Sequence, residues 1–124
     1  MKTIFSLLFI FTLSKSYGQN YNKEIVGKWN CNKRDFIDQN DKHKINKSQK
    51  LPYTVLYEFR PDFTGVDNTV EGRPSEFKYT IRKDTLYYGR LIAIIDTLTK
   101  DKLTFTELWS DKKPKLRFYF VRAK

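Results

Sequence analysis

Apolar side chains recur at alternate positions through most of the chain, and no long stretch keeps them at helical spacing. Turn-forming residues interrupt the pattern about every eight to twelve positions, which predicts a run of short strands. Residues 25–33 place Gly27, Trp29 and Cys31 on one face. In 53–60, Tyr53, Val55, Tyr57 and Phe59 share a face opposite Thr54, Glu58 and Arg60. A turn at 61–65, where Pro61 cannot continue a ladder, leads into a short polar strand ending at Val70. Residues 75–83 alternate cleanly, with Phe77, Tyr79 and Ile81 inside and Glu76, Lys78, Thr80 and Arg82 outside. A brief strand at 85–88 ends at Gly89. Residues 91–98 are apolar on both faces, which predicts a strand with a bulge but leaves its register open. Strand 102–109 groups Leu103, Phe105, Glu107 and Trp109, and strand 115–122 groups Leu116, Phe118, Phe120 and Arg122. Residues 34–50, polar and lysine-rich, read as one long solvated loop. The expected fold is all-β. About eight sequential antiparallel strands close most simply into an up-and-down barrel, whose interior either fills with side chains or holds one small ligand.

Composition narrows the setting. The chain has 124 residues, enough for one domain, and its aromatic content of 16% supplies the apolar surface that folding requires. Met1-Lys2-Thr3, the apolar run 4–13 and the small residues Ser16 and Gly18 have the layout of a secretory signal peptide cleaved before Gln19. We therefore expect residues 1–18 to be a signal peptide and residues 19–124 to be the folded domain, secreted or periplasmic. Removal takes Lys2 and Lys15 and no acid, so the formal charge falls from +10 to +8 on 106 residues. The single cysteine excludes an intrachain disulfide, and Cys31 reads as a small buried hydrophobe.

Candidate chemistry is sparse. Asp35, Asp38 and Asp41 lack the spacing and the glycine of a calcium loop, and His43 lies between two lysines with no visible partner. There is no phosphate-binding glycine loop, nucleophile elbow or metal-spaced His/Cys set, so neither an enzyme nor a metal or other cofactor is expected. Lys78, Arg82, Lys102, Lys115 and Arg117 project outward among Tyr and Thr, a pattern like that of nucleic-acid-binding barrels. Export argues against nucleic acid as the physiological partner; the basic surface reads first as a means of staying soluble, with an anionic envelope component as the alternative counterpart.

Gly27-Lys28-Trp29 gives G-x-W in the first strand, and Arg122 stands near the end of the last. With this placement the chain resembles the short bacterial lipocalin-like proteins, a calycin-type small-barrel family. The phrases Tyr57-Glu58-Phe59-Arg60-Pro61-Asp62 and Leu98-Thr99-Lys100-Asp101-Lys102-Leu103 strengthen the likeness, which covers nearly all of 24–122. The resemblance implies that Gly27, Trp29 and Arg122 close the barrel base, with the arginine packed across the indole. It also implies that 34–50 gates an open end. The chain departs from classical lipocalins in its length, in lacking their T-D-Y turn motif and usual disulfide, and in showing no C-terminal helix.

Alternation sends polar as well as apolar groups inward, and a cavity with apolar walls and a few converging polar groups is the usual form of a small-ligand site. The candidate lining is Tyr53, Tyr57, Tyr79, Phe105, Glu107 and Phe118. For Glu107 the competing reading is a pair with Arg117 or Arg122, or a place at the solvent rim. The function expected is binding of a small apolar or amphipathic molecule inside a monomeric barrel. The alternative is a non-enzymatic envelope module that binds an acidic polymer through its basic outer face.

Overall fold

The computed structural model describes residues 21–70 and 73–123, apart from the side chains of Tyr53, Thr69 and Val70. The expected signal peptide lies outside the described residues. One helical turn, α1 (Tyr21–Glu24), precedes eight strands: β1 (Gly27–Asp38), β2 (Asp41–Phe59), β3 (Thr64–Val70), β4 (Arg73–Arg82), β5 (Thr85–Tyr88), β6 (Leu91–Leu98), β7 (Lys102–Leu108) and β8 (Pro114–Arg122). Each pairs antiparallel with the next, and β8 returns to β1, so the sheet is a closed up-and-down barrel as the pattern predicts. Closure leaves no edge strand between β1 and β8 to template further pairing.

The alternating positions fill the interior. Trp29, Phe59, Leu86, Leu103 and Phe105 are fully buried, and Val55, Tyr57, Tyr79, Tyr88, Phe118 and Phe120 are buried with them. Phe77 and Ile81 are half-buried and pack against this core. Tyr57 is its hub, with ring centroids 5.1 Å from Phe120 and 6.1 Å from Phe105. Such tilted and edge-on pairs contribute about 0.5–1.5 kcal/mol each beyond their burial. In β6 the inward residues are Ala93, Ile95 and Leu98. The register against β7 shifts between Ile95 and Thr97, which supplies the expected bulge.

Two expectations are corrected. Residues 34–50 are not a loop: β1 and β2 continue through them as a paired ribbon, from Lys33 opposite Lys50 out to Asp38 opposite Asp41. Register shifts after Cys31 and on either side of Ile37 break the period-two signal, and most of the ribbon is exposed and polar. A ladder whose second strand is exposed throughout 41–48, and whose first buries an aspartate at 35, leaves no hydrophobic alternation to read. The connection shrinks to Gln39 and Asn40, and the Asn40 N–H donates to Asp38 Oδ2 at 3.1 Å. The arm is tied to the barrel wall, because Arg117 Nη2 donates to the Lys42 carbonyl at 3.2 Å.

Trp109 does not join the inner face of β7. The register shifts between Glu107 and Leu108 and the strand ends there, leaving Trp109 48% exposed with Lys115 Nζ 4.6 Å from its ring centroid.

Candidate functional site

The two barrel ends are built differently. At the base, Arg122 lies over the Trp29 ring, with its guanidinium carbon 4.1 Å from the centroid. Its three nitrogens donate to backbone carbonyls: Nε to Lys100 at 2.6 Å, Nη1 to Val26 at 2.9 Å and Nη2 to Glu24 at 2.7 Å. The Trp29 indole N–H donates to the Ile25 carbonyl at 2.8 Å, holding the segment after α1 across the base. Gly27 is required here. A Cβ at this position would sit 2.5 Å from Arg122 Nη1, and its φ of 131° is a conformation side chains rarely adopt.

At the opposite end a cavity of about 580 Å³ opens between the strands. Its wall includes Val55, Tyr57, Phe77, Leu116 and Phe118, with Arg34, Gln49, Asp67, Arg90 and Glu107 adding polar groups. Those side chains reach it for identifiable reasons. The bulge after Cys31 reverses the facing of β1, so Arg34 points inward although it is an odd number of residues from Cys31. Arg90 sits in the turn between β5 and β6, beside Gly89, whose φ of 57° makes that turn tight.

One wall carries a hydrogen-bonded chain. Tyr88 donates to Glu107 Oε2 at 2.8 Å, and Lys115 Nζ lies 3.4 Å from Glu107 Oε1. The Tyr57 ring meets the Tyr88 ring edge-on, with centroids 6.2 Å apart. Burial pushes both hydroxyls well above the usual tyrosine range, and for Tyr57 the charges of Asp67 and Glu107 add to it. Both phenols are therefore neutral and act as oriented dipoles in the wall.

Of the candidate lining residues, Tyr57, Glu107 and Phe118 border this cavity. Phe105 is fully buried among Tyr57, Tyr88, Phe118 and Phe120 and does not reach it. Tyr79 points toward the base, where its hydroxyl donates to the Arg60 carbonyl at 2.7 Å. The side chain of Tyr53 lies outside the described residues.

Neither arginine proposed for Glu107 is its partner. Arg122 is at the far end, and Arg117 lies on the outer face, donating to Thr106 at 2.9 Å and 3.4 Å from Asp96. Lys115 takes the role instead. With Glu107 opposite Leu116 and Leu108 opposite Pro114, Lys115 has no partner in the ladder and reaches around the rim. Among the described residues, no three His, Cys, Asp or Glu side chains are grouped to hold a metal ion.

No protein-family model matches this chain, and no curated protein matches it. The barrel and its cavity thus rest on the residues themselves.

Sequence reasoning missed Tyr88, Arg34 and Arg90. A faint signal existed for Tyr88, because a strand as short as Thr85–Tyr88 must turn one of its two adjacent tyrosines inward. None existed for Arg34, whose facing depends on the bulge.

Proposed function

We propose that this protein is an exported, lipocalin-like, non-enzymatic barrel that binds one small apolar or amphipathic molecule in the cavity at its open end. The observation carrying this reading is the cavity of about 580 Å³ above a continuous aromatic core. That volume lies within the range of small-molecule sites, and the walls mix aromatic surface with a few fixed polar groups. The Gly27–Trp29–Arg122 base supports the lipocalin-like assignment, since the glycine makes room for the arginine that covers the indole. Binding would remove the ligand's apolar surface from water, contributing about 25 cal/mol for each Å² buried.

The test is titration with the neutral fluorophore N-phenyl-1-naphthylamine. Saturable enhancement at one equivalent is expected, and Leu116→Trp, which fills the cavity, should abolish it while far-UV circular dichroism is unchanged. Absence of saturation in the parent protein would overturn the reading.

The basic-surface alternative is favoured by one feature, the exposed Lys42, Lys44, Lys47 and Lys50 of the β1–β2 arm. It predicts binding to an acidic polymer that weakens steeply with salt, whereas uptake of a neutral molecule should hardly respond.

A further inference from the structure

Resting on the cavity reading above, we infer that the bound molecule carries an anionic headgroup on an apolar tail, and that Arg34 and Arg90 receive the head. The charges around the mouth are unequal in their engagement. Both Glu107 oxygens are occupied, Oε1 by Lys115 Nζ at 3.4 Å and Oε2 by the Tyr88 hydroxyl at 2.8 Å. Asp67 is engaged as well. Neither Arg34 nor Arg90 has a carboxylate within ion-pair distance among the described residues.

Arg34 is half-buried, and Gln49 holds it in place. Its Nε donates to Gln49 Oε1 at 2.8 Å, and its guanidinium lies 5.5 Å from the Phe36 ring centroid. One edge of the guanidinium is therefore committed to orientation, and the two terminal nitrogens are left for another acceptor. A partly desolvated cation without an anion is unfavourable, and a planar fork of donors matches a carboxylate or phosphate best. Arg90, exposed in the β5–β6 turn, adds a second positive charge to the same mouth.

The apolar part has its own place. Val55, Phe77, Leu116 and Phe118 offer hydrocarbon surface, and the neutral Tyr57 ring borders them. A ligand with its head at the arginines and its tail against these side chains satisfies both regions. A fully apolar ligand would leave Arg34 unpaired, and a cationic head would meet two guanidinium groups.

Calorimetric titration of the purified protein with decanoate, decyl phosphate, decanol and decyltrimethylammonium tests this. Both anions should bind at one equivalent about tenfold or more tightly than decanol, the advantage of a charge-assisted bond over none. Arg34→Gln and Arg90→Gln should each weaken the anions several-fold more than they weaken decanol. Arg90 is an exposed turn residue, so its variant keeps the test independent of any folding defect in Arg34→Gln. A preference between the two anions identifies the head as carboxylate or phosphate, and either supports the inference. Equal binding of decanol, or tighter binding of the ammonium, overturns the headgroup assignment and leaves the cavity reading standing. If none of the four binds, both fall.

Discussion

Tyr57 and Tyr88 lie side by side in the wall that carries Glu107, to which Tyr88 donates, and their burial gives them a measurable signature. An unfolded tyrosine titrates near 10, whereas both hydroxyls are raised above that in the folded state, chiefly by desolvation. The folded state therefore keeps protons that the unfolded state releases. Their stabilisation is complete below about pH 10 and is lost as pH rises beyond it, at about 1.4 kcal/mol per pH unit for each tyrosine. Urea unfolding between pH 9 and 11.5 should show this fall, and Tyr57→Phe and Tyr88→Phe should each make it shallower. A slope that neither substitution changes would refute the assignment. The two residues also differ in how readable they were. Tyr57 belongs to an alternating run in which every second side chain is apolar, so its facing follows from the pattern. Tyr88 follows another tyrosine, and alternation cannot choose between identical neighbours. Its facing is set by pairing with Tyr79 across β4 and β5, which is long-range information.

At the scale of elements, the strands that pack on the core were legible and the β1–β2 arm was not. Core strands need one apolar face, and that requirement writes itself into the sequence with a period of two. The arm instead rests on specific bonds: the Arg117 guanidinium holds the Lys42 carbonyl, and the Tyr119 hydroxyl donates to Asp35 at 2.5 Å. Phe36 packs half-buried against the core, and Ile37 is the arm's buried apolar side chain. Ile37 is 5% exposed, while Ile45, its partner across the ladder, is 47% exposed. The two isoleucines look alike in sequence but should behave differently. Ile37→Ser should cost about 2–4 kcal/mol through lost burial and an added buried hydroxyl. Ile45→Ser should change stability by less than about 0.5 kcal/mol. Chemical denaturation of the two variants decides this, and equal effects would mean that the arm does not pack through Ile37.

For the molecule as a whole, the closed base and the proposed binding site sit at opposite ends of one barrel. The base is closed by groups with little alternative. Trp29 has no exposed surface, Arg122 is bonded to three carbonyls, and the missing Cβ of Gly27 leaves room for the arginine's guanidinium. The mouth is lined by residues that border a void, among them Leu91, which is 41% exposed at its edge. The placement of the base residues was legible because a tryptophan and an arginine each fell on an inward face at adjoining strand ends. The cavity was not, since its volume depends on register shifts in β1 and β7 that no local pattern reveals. This division predicts unequal responses to substitution. Trp29→Ala should cost about 3–5 kcal/mol, because it opens a large void and removes the surface on which Arg122 stacks. Leu91→Ser should cost under about 1 kcal/mol, since its side chain is already partly in water, yet it should weaken uptake of an apolar probe. Urea midpoints at unchanged m-value, measured beside probe titrations, separate the two effects. If Leu91→Ser destabilised the fold as much as Trp29→Ala, the mouth would be carrying the barrel's stability, and the two ends would not be separable.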